Sequence, residues 1–217
     1  YYIDSSIVAY YKNHFKIYVG KEVHGRKGAI VMNCNPFTNG HRHLIEIAAS
    51  QVDYLYIFVV EEDKSRFSFV DRKQMISNGV RDMSNVYVVP SGEYIISQKT
   101  FAQYFKKDQI EIVDNMDYDV RIFGEVVAKE FQISIRFIGE EPYDKVTNKY
   151  NETMKRILPE YGIDVIEIPR LSSGDGEIIS ASKVRRFLKE KNFKALKKML
   201  PQSTLEYLLD KNQVDKL

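Results

Sequence analysis

Short apolar runs alternate with amphipathic segments along most of the chain. Five runs have the length and the apolar character of buried strands, at 29–32, 54–60, 86–89, 133–138 and 165–168. Between them, apolar residues recur at helical spacing, which predicts helices over about 41–50, 71–83, 101–107, 119–130 and 147–158. Apolar strands that alternate with helices are typical of a parallel sheet that is covered on both faces.

The pattern therefore predicts an α/β fold, a Rossmann-like five-stranded parallel sheet with helices on both faces. Residues 28–217 are predicted to form one domain with a C-terminus that is helical from Ser180 onward. Residues 1–27 are predicted to be an N-terminal segment and connector, with a helix over 4–15. Because ligands of such sheets bind beyond the carboxyl ends of the strands, the loops that follow the five strands are candidates for a site.

Composition and charge narrow the class of protein. The 217 residues include 32 Lys and Arg and 30 Asp and Glu. This near balance argues against a nucleic-acid substrate, for which a strong basic excess is expected. The hydrophobic share of 44% excludes a chain that is disordered by composition. A single cysteine, Cys34, excludes an internal disulfide, so we expect a cytoplasmic location. No apolar run approaches the length of about 18 residues that a membrane span requires.

The loop after the first predicted strand, Asn33–His41, has the features of a phosphate site. Gly40 lets the backbone approach a ligand, and His41 falls in the first turn of the next helix, whose free N–H groups favour phosphate. Thr38 can cap that helix and offer its hydroxyl to the same phosphate. The alternative is a capped helix with a surface histidine, but the position after the first strand favours the phosphate site.

A second stretch with the features of a phosphate site lies near the C-terminus. Ser180 can cap the last long helical segment, and Ser182 lies in its first turn, where N–H groups lack helical partners. Lys183 and Arg185 add positive charge for a leaving pyrophosphate. The alternative is an ordinary basic helix with a serine cap.

These two stretches resemble the two signatures of one superfamily. Asn35 to His41 resembles the (H/T)xGH motif of the nucleotidyltransferases related to class I aminoacyl-tRNA synthetases, and Ile179 to Arg185 resembles their ISxSxxR-type element. The resemblance implies that a nucleoside triphosphate binds between them. The signature Thr and His correspond to Thr38 and His41.

A narrower resemblance covers the chain from Gly28 to the C-terminus. The blocks 28–42, 58–63, 67–72, 136–142 and 146–151 are similar to the citrate lyase ligase family. This resemblance implies that ATP and acetate form acetyl-adenylate and pyrophosphate, with Mg²⁺ accompanying ATP. The acetyl group then passes to the thiol of the prosthetic group on the acyl carrier subunit of citrate lyase. Members usually carry a further domain upstream, so a chain that begins with Tyr1 is expected to be part of a longer enzyme or a short form.

Roles for single residues follow from the motifs and the resemblance. His41, Thr38 and Lys183 are the expected catalytic residues, and they act on phosphate charge rather than as nucleophiles. The expected nucleotide-binding residues are Asn33, Asn35, Phe37, Gly40, Gly139, Glu140, Ser180, Ser182 and Arg185. No protein metal ligands are expected, because Mg²⁺ bound to phosphates keeps most of its waters.

Several residues keep two interpretations. The Gly139–Glu141 loop either contacts the base or ribose or is a solvated turn. Arg72 either neutralises phosphates or forms a surface salt bridge, and Cys34 is either an acyl acceptor or a small buried residue. The loop at 172–176 is expected to close over bound nucleotide.

The segment from Lys183 to Lys198 concentrates positive charge. A solvated helix face is the usual meaning of such a run, and a docking surface for an acidic carrier protein is the alternative. The segment contains a single acid, Glu190, and eight basic residues: Lys183, Arg185, Arg186, Lys189, Lys191, Lys194, Lys197 and Lys198.

Three other functions are compatible with the phosphate motifs. The tRNA cytidine acetate ligases share a similar NPFxNGH element and would require a broad basic surface for RNA. A nucleotidyltransferase that makes a dinucleotide cofactor would require a second nucleotide or phosphopantetheine pocket, which the sequence does not identify. A non-catalytic nucleotide-binding module is disfavoured because both motifs are intact.

Overall fold

The computed structural model describes residues 2–19, 24–101, 114–171 and 178–210. Nearly all of the helix predicted at 101–107 lies outside these ranges, and so does the predicted closing loop at 172–176. None of the helices that the structure describes combines the length and the apolar character needed to cross a bilayer.

Five parallel strands form one sheet in the order β3-β2-β1-β4-β5. The strands are β1 (Lys27–Met32), β2 (Tyr54–Val59), β3 (Val86–Pro90), β4 (Ile135–Gly139) and β5 (Asp164–Ile168). The order reverses between β1 and β4, so the crevice beyond their carboxyl ends is where a ligand is expected. The predicted five-stranded parallel sheet is confirmed.

Nine α-helices are described outside the masked segments, and most of them connect or follow the strands. They are α1 (Ser5–Phe15), α2 (Asn39–Ala49), α3 (Phe69–Gly79), α4 (Asp114–Ile122), α5 (Ala128–Phe131), α6 (Lys145–Ile157), α7 (Ala181–Lys189), α8 (Phe193–Met199) and α9 (Gln202–Asp210). The helix predicted over 119–130 is confirmed, although the helical run begins earlier, at Asp114, and contains a π-helical turn at Phe123–Val127 between α4 and α5. The helical C-terminus is confirmed.

Two hydrophobic cores lie on opposite faces of the sheet, because successive strand side chains point to opposite sides. Ala29 of β1 belongs to one core together with residues of α1, α4 and α6, whereas Ile30 belongs to the other with residues of α2, α3 and α7 to α9. The first core includes Phe15 and Val120, and the second includes Met75. Helices therefore cover both faces, as predicted.

Helix α1 is part of the first core. The Phe15 ring makes edge contacts with Phe58 at 5.8 Å and with Phe131 at 4.8 Å between centroids. The Tyr11 hydroxyl donates to the Ser91 carbonyl at 3.1 Å and accepts from the Tyr94 N–H at 3.2 Å. The helix predicted within residues 4–15 is confirmed. Through the Tyr11 hydroxyl it also holds the loop that follows β3 in place.

Candidate active site

The first turn of α2 fixes the orientation of the His41 ring. Thr38 caps the helix, and its Oγ1 accepts from the His41 N–H at 3.3 Å. In return, the Thr38 N–H donates to His41 Nδ1 at 3.0 Å. A backbone N–H can only donate, so Nδ1 is the acceptor and the ring proton lies on Nε2. The Phe37 ring stacks on the imidazole at a centroid distance of 6.0 Å.

The charge state of His41 follows from its surroundings. Burial and, to a lesser extent, the positive charge of Arg170 together lower the pKa of the His41 imidazole to about 4. The imidazole is therefore neutral near pH 7 and offers one N–H donor, on Nε2. A neutral donor can bind a phosphate oxygen, but the positive charge that balances a triphosphate must come from other side chains.

The N-terminus of α7 lies beside the loop that follows β1. Ser180 caps α7 by accepting from the Lys183 N–H at 3.2 Å. Arg185 then joins the two motifs, because its Nη1 donates to the Asn35 carbonyl at 2.6 Å. Its Nη2 donates to Ser182 Oγ at 3.0 Å. Two helix N-termini that are far apart in the sequence are thereby brought together.

The approach of the two motifs is close at Gly40. A Cβ at this position would lie 3.6 Å from the Ile179 carbonyl oxygen, an ordinary contact distance. Two cations lie near each other on this side of the crevice: burial lowers the pKa of the Arg185 guanidinium, and the positive charge of nearby Arg66 lowers it as well. Arg66 belongs to the loop that follows β2, so this loop and helix α7 each place a cation at this edge.

The loops after β4 and β5 form the opposite side of the crevice. Arg170 donates from Nε to the Glu140 carbonyl at 2.8 Å and pairs with the Glu141 carboxylate. The Gly139 carbonyl accepts from Asn151 Nδ2 at 2.9 Å, which holds the end of β4 against α6. Sequence reasoning missed Arg170. The signal that was available is a cation two residues beyond the last strand, at the edge where ligands bind.

Arg72 has a structural role that neither expectation describes in full. Its side chain is fully buried, so it offers no exposed charge to a ligand phosphate. The expected salt bridge is present in part, because Nη2 lies 3.6 Å from the exposed carboxylate of Asp63 while the guanidinium itself is buried. It donates to the carbonyls of Phe67 at 3.0 Å and Val60 at 2.7 Å, and to Asn33 Oδ1 at 2.8 Å. Asn33 Nδ2 also donates to Ser65 Oγ at 2.9 Å. The loops after β1 and β2 are therefore tied to each other through one guanidinium.

The thiol of Cys34 is buried and free of any disulfide. Burial raises its pKa well above the usual value, although the charge of Arg72 opposes this shift. A neutral, buried thiol fits the interpretation as a small core residue. Among the described residues, no group of three or more His, Cys, Asp and Glu side chains is arranged to hold a metal ion.

The structure groups the residues singled out from the sequence into three places. The His41 ring and the starts of α2 and α7 share one edge of the crevice, and Gly139 and Glu140 lie beyond β4. Phe37 is fully buried, and a Cβ on Gly79 would lie 2.2 Å from its ring. The Asn35 side chain accepts from the Phe67 N–H at 3.2 Å. The side chains of Asn33, Asn35 and Phe37 thus support the loop from within the protein.

Comparison with known proteins agrees with this architecture. Residues 27–208 match the family described as the citrate lyase ligase C-terminal domain. The chain is 43% identical over 191 residues to citrate (pro-3S)-lyase ligase of Klebsiella pneumoniae, covering 85% of this chain and 56% of that protein. It is 45% identical over 190 residues to the enzyme of the same name from Haemophilus influenzae, with 84% and 56% covered. The chain thus spans little more than half the length of these relatives.

A solved structure shows the same fold at low sequence identity. Nicotinic acid mononucleotide adenylyltransferase of Plasmodium falciparum, in complex with APC, superposes with a TM-score of 0.54 and 14% identity. The match covers 88% of this chain and 98% of that one. At this identity the similarity concerns the fold alone, and it confirms the predicted nucleotidyltransferase-like architecture.

Proposed function

The chain belongs to the citrate lyase ligase family, and from this membership and the geometry of the crevice we propose that it activates citrate lyase by ATP-dependent acetylation. In the first step an acetate oxygen bonds to the α-phosphorus of ATP, and the bond to the β-phosphate oxygen breaks. Acetyl-adenylate forms and pyrophosphate leaves. In the second step the thiol sulfur on the acyl carrier subunit of citrate lyase attacks the acetyl carbon. AMP leaves, and the thiol proton is released.

The observation that carries this proposal is the meeting of two helix N-termini around an oriented histidine. Arg185 of α7 connects the two helix starts, because its Nη1 donates to the carbonyl oxygen of Asn35, in the loop before α2, at 2.6 Å. Backbone N–H groups at helix N-termini favour phosphate, and a fixed imidazole N–H adds a donor that needs no reorganisation. This donor set fits a triphosphate and requires no covalent protein nucleophile.

We assign roles according to position in the crevice. His41 Nε2 donates to a phosphate oxygen that gains charge as the bond to pyrophosphate breaks, and Thr38 holds the ring for this task. Lys183 and Arg185 bind the β- and γ-phosphates, together with the Ser180 and Ser182 hydroxyls. Because His41 is neutral, Arg170 supplies part of the positive charge that balances the triphosphate.

The remaining residues position the nucleotide. Gly139 and Glu140, at the end of β4, contact the adenosine, with the Gly139 carbonyl held by Asn151. Asn33, Asn35 and Phe37 keep the loop after β1 in place beneath the phosphates. When bound with ATP, Mg²⁺ would neutralise charge on the phosphates that Lys183 and Arg185 hold.

The experiment that tests the proposal is carboxylate-dependent exchange of labelled pyrophosphate into ATP. Acetate, propionate and citrate are compared with a blank, without the carrier subunit. We expect exchange that depends on acetate, because only the adenylation half-reaction is required. Exchange that no carboxylate stimulates above the blank would contradict the proposal.

The pH dependence of exchange reports on His41. Because its pKa is about 4, exchange is expected to stay level from pH 8 down to about pH 5, without a loss near the ordinary value of 6.5. Arg170→Gln removes one of the two causes of the lowered pKa, so the acid limb moves to higher pH but stays below 6.5. The profile is measured as kcat/KM for ATP, and Arg81→Gln, an exposed arginine outside the crevice, is the control.

An acid limb centred near 6.5 in the unmodified protein would show that the imidazole titrates normally and would contradict this charge state.

The stability of the folded protein is also expected to decrease as the pH decreases, because of His41. Between 6.5 and about 4 the unfolded chain binds a proton that folded His41 does not. Stability therefore falls as the pH falls through this window, and circular dichroism at each pH separates unfolding from loss of catalysis.

A further inference from the structure

Helices α7 and α8 present an exposed basic surface on one side of the molecule. Their apolar residues, including Val184, Leu188 and Leu196, are buried in the second core, so the charged residues point outward. Glu190 is the single acid in the segment, and its carboxylate lies 3.7 Å from Arg186. We call the exposed cations the basic surface: Arg186, Lys189, Lys191, Lys194, Lys197 and Lys198.

The basic surface meets the active site at both of its ends. The first turn of α7 carries Ser182 and Lys183, which belong to the proposed triphosphate site. The last turn of α8 reaches the start of α2, where the Lys198 carbonyl accepts from Asn39 Nδ2 at 3.2 Å. Asn39 directly follows Thr38, the cap of α2. A molecule that lies along this surface is therefore placed at the mouth of the crevice.

We propose that the basic surface docks an acidic face of the protein that carries the acceptor thiol. This inference rests on the proposed function, in which a protein-bound thiol must reach the acyl-adenylate. Phe193 lies within the surface with 40% of its area exposed, and an aromatic side chain among charges is a frequent anchor of protein interfaces.

Charge distribution favours a protein over RNA as the occupant. The whole chain carries a net charge of only +2, whereas residues 183–198 contain eight basic residues and one acid, so the basic excess is concentrated in this segment. Binding to RNA would draw on contacts with many phosphates across a broad surface. A small acidic protein face needs only a compact basic area, and charges at the rim of such an interface mainly raise the association rate and fall in effect with salt.

The test measures binding of the acyl carrier subunit by fluorescence anisotropy, at low and at physiological salt. Lys194→Glu with Lys197→Glu reverses the centre of the basic surface. The matched control, Lys12→Glu with Lys129→Glu, makes the same charge change on exposed residues of α1 and α5, which pack in the other core. We expect the first variant to bind at least about tenfold more weakly at low salt and the control to stay within about twofold.

The outcomes separate this inference from the proposed function. Acetate-dependent exchange needs no carrier, so it is expected to be unchanged in both charge-reversal variants. If the affinity for the carrier subunit changes neither with salt nor in the variant Lys194→Glu with Lys197→Glu, the docking surface is overturned, whatever the exchange assay shows. A variant that loses tRNA binding in a gel shift but keeps carrier binding assigns the surface to RNA and also overturns the inference.

Discussion

His41→Ala is expected to lower acetate-dependent ATP–pyrophosphate exchange by about 10²-fold or more, the usual cost of losing one fixed donor to a developing negative charge. The loss should appear in kcat more than in the KM for ATP. The Nε2 proton is aimed by the hydrogen bond between Thr38 N–H and Nδ1, so the donor is in place before the charge develops. A donor that matters mainly in the transition state affects the rate more than ground-state binding.

The same helix supplies the control for this experiment. His43→Ala changes the same residue type two positions along α2, on a different side of the helix, and should leave exchange within about twofold. Because His41 stacks on the Phe37 ring, thermal unfolding of both variants checks that the loss of this contact does not destabilise the fold. Exchange close to that of the unmodified protein in His41→Ala would remove His41 from the proposed chemistry.

Arg72→Met is expected to destabilise the fold by about 3–5 kcal/mol, because it leaves several backbone carbonyls without the donor that satisfies them, at about 1–3 kcal/mol for each buried one. The guanidinium donates to backbone carbonyls of Asn33, Val60, Glu62 and Phe67. Methionine has a similar length but no donors, so all four carbonyls would lose this donor, and the hydrogen bonds to Val60 and Phe67 are the buried ones. The free energy of unfolding is measured by urea denaturation.

An exposed arginine provides the comparison. Arg81→Met makes the same chemical change just beyond α3 and should alter the free energy of unfolding by no more than about 0.5 kcal/mol. Arg72→Lys keeps the charge but loses the planar fork, so it should recover only part of the stability. A loss below about 1 kcal/mol in Arg72→Met would show that the loops after β1 and β2 do not depend on this side chain.

Features that depend on neighbouring residues could be predicted from the sequence. The continuous apolar run at Tyr54–Val59 can only be stabilised inside a sheet, and it forms β2. Thr38 and Ser180 are helix caps because their hydroxyls accept from N–H groups three residues later in the chain. The two phosphate motifs could be found for the same reason, since each is a cap followed by a helical turn.

The tertiary structure decided which distant groups share a surface. Arg72 has the pattern of an exposed helix residue, and only the packing of two loops around it explains its burial. Arg170 lies far from His41 in the sequence, and β5 brings it to the crevice because the sheet order reverses between β1 and β4. Helix α1 belongs to the core because its aromatic residues meet β2 and α5, contacts that no local pattern reveals.

The sequence by itself determined the alternation of strands and helices, the two capped helix starts and the excess of positive charge at 183–198, since each arises within a short window of residues. The tertiary structure alone decided that the two helix starts meet through Arg185 and Asn35. It also placed the exposed basic surface beside the crevice, through the contact of Asn39 with the end of α8. These outcomes depend on strand order and on packing across the sheet, which join residues more than a hundred positions apart.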